Sequence, residues 1–328
     1  MFTMIEASRL RELTPWPALV SALERAFRQP CEMPPRQHVP IELPGAPPGT
    51  LLLMPAWTQG ALLGVKIVQA FPGNSAVGKP SIHGIYMLAS ATDGEVLALI
   101  DAQELTARRT AAASALAARF LARQGSSQLL ILGTGRLARY MAAAHASVHP
   151  IEHVAIWGRN AAKAATVAKD IGRELQLETS VVEQLDRSIN GADIITTVTT
   201  SPTPVLPGRY LRAGSHVDLV GSFTAESREA DDDVMRRARV FVDSLESAPR
   251  ESGDLAIPMA QKVLQLADLQ GDLYGLCSGA TAGRTNASEI TAFKSVGLAS
   301  EDLAAASLAW QALNVQPRSR PRAAAADR

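Results

Sequence analysis

Leu129-Leu130-Ile131-Leu132-Gly133-Thr134-Gly135-Arg136-Leu137-Ala138 is the stretch that decides the fold. Four consecutive apolar residues read as a buried strand, and 136–147 continues with helical spacing. Between them lies Gly-x-Gly-x-x-Ala. Gly133 permits a tight turn out of the strand, Gly135 lets the backbone approach a pyrophosphate, and Ala138 lets the helix pack close to the sheet. The helix start adds free N–H groups and a positive dipole end, so the motif points to a dinucleotide. The plainer alternative is a glycine turn without a ligand. The pattern around the motif favours the ligand: short apolar runs at 128–132, 153–157, 193–198, 216–220 and 239–243 are interspersed with helical segments at 136–147 and 160–175. That alternation predicts an α/β fold with a Rossmann-type, doubly wound parallel sheet.

The second strand bears on which dinucleotide. Val154-Ala155-Ile156-Trp157 ends in Gly158-Arg159-Asn160, with no carboxylate placed to accept from a ribose 2′-OH. Arg159 suits a 2′-phosphate, so NADPH is expected in preference to NADH, unless Arg159 is simply a solvated loop residue. Thr197, Val198 and Thr199, in the run Asp193-Ile194-Ile195-Thr196-Thr197-Val198-Thr199-Thr200, end a later strand where ligands bind in such sheets. The threonines are equally explained by β propensity. The candidate cofactor residues are thus Gly133, Thr134, Gly135, Arg136, Leu137, Ala138, Arg159, Asn160, Thr197, Val198 and Thr199.

Upstream the pattern differs. Residues 4–29 read as one helix, and the Pro-rich 30–49 as loop and edge strand. Runs at 50–56, 61–70, 82–90 and 95–100, with a turn at Thr92-Asp93-Gly94-Glu95, read as an antiparallel meander. An Ala-rich helix over 102–124 comes next, and further helices are expected at 258–268 and 299–314. The expected organisation is a mixed α+β substrate and dimerisation domain over 1–115, completed by a helix at 296–316, a cofactor domain over 116–295, and a disordered tail over 317–328.

The 328 residues carry 32 Lys plus Arg against 32 Asp plus Glu, which gives no global electrostatic case for nucleic acid or an anionic membrane. Cys31 and Cys277 are the only cysteines and neither lies in a Cys-x-x-Cys, so neither a disulfide framework nor a metal site is expected. No apolar run reaches a membrane span, and the charged N-terminus does not read as a signal peptide, so a cytoplasmic protein is expected. Only six lysines stand against 26 arginines, which singles out Lys66 in Gly64-Val65-Lys66-Ile67-Val68. On a strand it faces away from Val65 and Ile67, either into solvent or into a site. Arg36 and Arg109 are the other notable cations. His83 and Glu251 are weaker candidates: His83 is a titrating group but reads more readily as hydrogen-bonded structure, and Glu251 reads equally as a cleft residue or as part of a solvated face.

Taken in order, Lys66-Ile67-Val68, Pro72 to Asn74, Thr92-Asp93-Gly94, Leu105-Thr106 with Arg109-Thr110-Ala111-Ala112, the glycine motif, Asp193 and its threonines, Gly221, Glu229, Val242-Asp243, Glu251-Ser252-Gly253-Asp254 and Phe293-Lys294-Ser295 resemble the ornithine cyclodeaminase/mu-crystallin family over roughly 30–312. The resemblance implies NAD(P) dependence and a homodimer. It also implies that Arg36, Lys66 and Arg109 hold substrate beside the nicotinamide, with Lys66 and Arg109 catalytic, and that Thr110 lies near the cofactor phosphates. One departure narrows the reaction. Where ornithine cyclodeaminases and archaeal alanine dehydrogenases carry an aspartate that handles the substrate amine, this chain has Phe223, in Gly221-Ser222-Phe223-Thr224. Phenylalanine neither accepts a proton nor pairs with an ammonium. The stretch looks like the branch that reduces cyclic imino acids, 1-pyrroline-2-carboxylate to proline or 1-piperideine-2-carboxylate to pipecolate. Ornithine cyclodeamination and a non-catalytic, crystallin-like role are the alternatives.

Overall fold

The computed structural model describes residues 2–315; the expected tail at 317–328 lies outside them. The N-terminal sheet comprises β1 (Thr3–Ile5), β2 (Gln37–Ile41), β3 (Gly49–Trp57), β4 (Leu62–Ala70), β5 (Ile82–Ser90) and β6 (Val96–Asp101), in the order β1-β6-β5-β4-β3-β2. β2 to β6 form the antiparallel meander, and β1 adds in parallel to β6. β2 is an edge strand and contains Pro40, which an edge tolerates because no ladder donor is needed there.

The second sheet is parallel throughout. Its strands are β7 (Gln128–Leu132), β8 (His153–Trp157), β9 (Glu178–Val181), β10 (Ile194–Thr197), β11 (His216–Leu219), β12 (Arg239–Val242), β13 (Leu269–Asp272) and β14 (Thr291–Lys294). They lie in the order β13-β12-β14-β11-β10-β7-β8-β9. The chain winds outward from β7 through β8 to β9, then returns to place β10 on β7's other side. This is the Rossmann-type reversal, and a crevice opens at the carboxyl ends of β7 and β10.

The helices are α1 (Ala7–Leu13), α2 (Trp16–Phe27), α3 (Ala102–Leu121), α4 (Leu137–Ala146), α5 (Ala161–Leu175), α6 (Leu185–Gly191), α7 (Asp232–Arg237), α8 (Ala248–Glu251), α9 (Gly253–Ala260), α10 (Leu273–Ser278) and α11 (Ala299–Val315). α3 places the site. Asp101 caps it by accepting from Glu104 N, and its alanines 111, 112, 113, 115, 117 and 118 are fully buried. Small side chains let it pack between α2, α4 and α11 while touching strands of both sheets. Residue 115, where the sequence reading divides the chain, lies inside this helix. Leu10, Leu19, Leu23, Leu88, Ile100 and Leu116 pack in the same core, each contributing roughly 1.5–3 kcal/mol through burial. Among the described residues no helix is long and apolar enough to cross a membrane.

Three expectations need correction. Residues 4–29 are not one helix: Thr3–Ile5 is a strand, and the remainder breaks at Thr14-Pro15, since a residue before proline disfavours helix. The Thr14 hydroxyl closes α1 by donating to the Leu10 carbonyl at 2.6 Å. The helix expected at 258–268 begins earlier, where Ser252 caps α9, and ends before Lys262, which adopts φ +59°. β9, β13 and β14 are four-residue strands that alternation alone did not reveal.

Candidate active site

A cavity of about 660 Å³ lies between the inner face of β3, β4 and β5, the first turns of α3, and the segments following β11 and β14. Lys66 reaches it from the middle of β4, with buried Met54 and Tyr86 as its cross-strand neighbours. Strand alternation thus turns Lys66 inward and Val65 and Ile67 to the opposite face. Lys66 is buried, and its Nζ lies 2.8 Å from Asp302 Oδ2. The same carboxylate accepts from Arg109 Nε through Oδ1 at 2.9 Å, and Arg109 Nη1 donates to Glu301 Oε2 at 2.8 Å. Glu301 and Asp302 lie in the first turn of α11, where a helix N-terminus favours negative charge.

Arg109 has its position because Gly297 has no side chain. A Cβ there would come within 2.3 Å of Arg109 Nη1, and Gly297 adopts φ +80°. Arg36 meets the same segment, its Nη2 donating to the Gly297 carbonyl at 2.6 Å and pairing with Glu251 at 2.9 Å. Beneath them Asp243 Oδ2 accepts from the N–H groups of Val296 and Gly297 at 2.7 and 2.6 Å. The structure therefore brings Arg36, Lys66 and Arg109 to one cavity, from three distant parts of the chain. Glu251 belongs to this cleft through Arg36, and His83 lies exposed on its lining.

The electrostatics follow from burial. Burial lowers the Lys66 pKa to about 8, with Asp302 opposing the shift and Arg109 and Arg36 adding to it. Burial acts to raise the Asp302 carboxyl, but the charges of Lys66 and Arg109 outweigh it and hold the group below the usual carboxylate range. Burial pushes Glu301 up to about 7 despite Arg109. The cavity wall between the cations is apolar, from Leu52, Met54, Val68 and Val220, and Phe223 stands 63% exposed on the lining.

The glycine motif adjoins this cavity, since Arg136 and Leu137 line it too. Gly133 adopts φ +140°, and a Cβ there would meet the Val198 carbonyl oxygen at 2.7 Å, so the ends of β7 and β10 meet closely. At Gly135 a Cβ would find nothing within 4 Å, which leaves an open approach to the start of α4. Ala138 is fully buried. These features fit a dinucleotide: the turn, the open backbone and the helix start are present together. Arg136 donates to Glu104 at 2.7 Å and so ties this turn to α3. Thr110 is buried on α3 and lines the cavity. Arg159 and Asn160 lie exposed beyond β8; Asn160 caps α5, and Arg159 makes no ion pair among the described residues. Thr134 packs against Gly158, where a Cβ would fall 2.5 Å from its methyl group.

Thr197 and Thr199 are engaged internally. The Thr197 hydroxyl is buried and donates to Glu229 Oε2 at 2.8 Å, while Thr199 N donates to Glu229 Oε1 at 2.6 Å. Glu229 also accepts from Gly221 N at 2.6 Å, so one carboxylate joins the loops after β10 and β11. Behind it, Asp254 accepts from Glu229 N and Ala230 N and pairs with Lys294 at 3.3 Å, all three side chains being buried. The sequence reading had no role for Glu229, Asp243, Asp254 or Lys294, and did not single out Glu301 or Asp302. An acidic pair opening a helix reads as ordinary dipole compensation until Lys66 and Arg109 are seen against it.

The ornithine cyclodeaminase/mu-crystallin family matches residues 2–315. A Delta(1)-pyrroline-2-carboxylate reductase of Colwellia psychrerythraea is 36% identical over 314 residues, covering 92% of this chain and 96% of its own length. Among solved structures, the Thermococcus litoralis Delta(1)-pyrroline-2-carboxylate reductase in complex with NADH and L-proline superposes with TM-score 0.89 at 33% identity, over 96% of this chain and 98% of that one. An archaeal alanine dehydrogenase dimer with bound NAD gives 0.86 at 28% identity, over 96% of each chain. With its cavity, its glycine turn and these relatives, the chain belongs to the ornithine cyclodeaminase/mu-crystallin family.

Proposed function

We propose that this protein reduces cyclic imino acids, 1-pyrroline-2-carboxylate to L-proline or its six-membered analogue to L-pipecolate, with a nicotinamide dinucleotide as hydride donor. The observation that carries the reading is the convergence of Arg36, Lys66 and Arg109 on one cavity that adjoins the glycine turn and has Phe223 on its lining. Arg36 and Arg109 suit the substrate carboxylate. Arg109 commits Nε and Nη1 to Asp302 and Glu301, which leaves Nη2 for the ligand. Lys66 protonates the ring nitrogen and is reprotonated from solvent after the amine leaves. Gly133 to Ala138 would hold the dinucleotide, which when bound would supply the hydride for C2. Phe223 offers a ring contact and no base, which favours an imine over a diamine such as ornithine.

NADPH is the proposed preference because Arg159 is exposed just beyond β8 and the segment there, Gly158-Arg159-Asn160, carries no carboxylate to bind a 2′-OH. The homodimer is proposed from the outer face of the first sheet: Leu53, Ile67 and Ile85, then Pro55, Val65 and Met87, stand in register there and are only partly covered. The chain is proposed to act in the cytoplasm.

Nicotinamide oxidation with each imine, beside ammonia release from ornithine with NAD, tests the reaction. Imine-dependent oxidation without ammonia is expected; ammonia from ornithine with inert imines would replace this reading by cyclodeamination. NADPH is expected to give the higher kcat/KM, and Arg159→Ala to cut the NADPH value by roughly tenfold while sparing NADH, the cost of one charge-assisted contact.

A further inference from the structure

Asp302 does not line the cavity, yet it touches two of the cations that do, Lys66 and Arg109. Its side chain is fully buried, with Oδ2 2.8 Å from Lys66 Nζ and Oδ1 2.9 Å from Arg109 Nε. We propose that Asp302 is a positioning residue: its shared carboxylate sets Lys66 and Arg109 relative to one another and keeps Lys66 in the ammonium form. The inference rests on the reading of Lys66 as the group that protonates the substrate.

The surroundings of Lys66 show why this carboxylate is needed. From α3 it faces Arg109, and from the segment before β2 it feels Arg36. On β5 its neighbour is Tyr86, whose buried hydroxyl has no hydrogen-bond partner among the described residues and stays neutral, its pKa raised by burial. From α11 come Asp302 and, one contact further through Arg109, Glu301. Burial and both arginines drive Lys66 toward the neutral amine. Asp302 is the carboxylate in ion-pair contact that opposes them, among the described residues. A neutral lysine has no proton to give at the pH where the reaction is needed and offers a substrate carboxylate no charge. The bridge also has a geometric consequence. Two oxygens of one planar group fix Nζ and Nε together, so a ligand meets two cations whose separation the protein sets beforehand.

The test uses the full chain with isotopically labelled lysine. Six lysines give few side-chain NMR signals, and that of Lys66 is the one lost in Lys66→Arg. In the unaltered protein Lys66 is expected to titrate near 8. Asp302→Asn is expected to move that midpoint down by about one pH unit or more. The alkaline limb of kcat/KM should move with it, so that activity at alkaline pH falls about tenfold further than at neutral pH. Asp302→Glu, which restores the charge, should return both toward the starting values. If Asp302→Asn does not fold, Asp302→Ser, at home in the first turn of a helix, is read instead. A folded neutral variant whose Lys66 midpoint and alkaline limb stay in place would overturn the inference. A shifted midpoint in a protein that reduces no imine would uphold the role of Asp302 and refute the proposed reaction.

Discussion

Two buried lysines in this protein answer the same physical problem in different surroundings. Lys66, on β4, pairs with Asp302 at 2.8 Å, and Lys294, on β14, pairs with Asp254 at 3.3 Å. Around Lys294 the carboxylates are held chiefly by backbone N–H groups, with the Thr197 and Ser295 hydroxyls also donating to Glu229 and Asp243. Asp254 takes two N–H groups, Asp243 holds Val296 and Gly297, and Glu229 ties Gly221 and Thr199. Around Lys66 the carboxylates hold side-chain cations, and those cations face a cavity. A sealed network can only hold loops in place. The same chemistry beside open space can meet a ligand. The two networks are also joined: Asp243 shapes the segment carrying Gly297, Gly297 gives Arg109 its room, and Arg109 faces the cavity.

The comparison breaks most visibly with one substitution at each lysine. Lys66→Ala should lower kcat/KM for the imine by roughly 10²–10⁴-fold, the usual contribution of a proton donor. Its fold should survive, because Asp302 keeps Arg109 as a partner. Steady-state kinetics beside circular dichroism measures both, and near-normal turnover would remove Lys66 from the mechanism. Lys294→Met should do the reverse. It leaves Asp254, with Glu229 and Asp243 close by, without the cation that all three feel, and should cost about 3–5 kcal/mol in denaturant unfolding. Should Lys294→Met retain full stability while losing turnover, the division between holding and reacting would be wrong.

A smaller effect sharpens the contrast. Glu301 in the folded protein titrates near 7 rather than near its ordinary 4.5, because burial disfavours its charge. The folded state then binds the proton more tightly than the unfolded chain. Its contribution is fully present below about pH 4.5 and declines as the pH rises through 7. Glu301→Gln removes that decline, so its melting temperature should gain on the parent's by a few degrees between mildly acidic and mildly alkaline pH. A difference independent of pH would mean that Glu301 stays ionised throughout.

Much of the fold was legible because it rests on local rules. The strand-turn-helix at Leu129 to Ala138, the meander, and the long helix α3 follow from apolar periodicity, turn residues and glycine placement, which act over a few neighbours. The misread parts are those where local signals are weak or interrupted. Thr14-Pro15 cut a periodic segment, and β13, Leu-Gln-Gly-Asp, has almost no apolar pattern. Lys66, Arg36 and Arg109 were legible as candidates because lysine is scarce in this chain and because their strings resemble a family. Their counterions were not. Arg109 and Asp302 lie 193 positions apart, and nothing in a helix that opens Ala299-Ser300-Glu301-Asp302 says what its acids will face.

By itself the sequence determined an α/β architecture with a dinucleotide turn, a neutral and cysteine-poor chain, and a short list of cations, since composition and periodicity are properties of neighbours along the chain. Only the tertiary structure decided that α11 returns to set Glu301 and Asp302 against Arg109 and Lys66, and that Gly297 leaves room for the guanidinium. It also showed Thr197 turned toward Glu229. The physical reason is that the charge state and reach of a buried group depend on what surrounds it in space, and those neighbours come from anywhere in the chain.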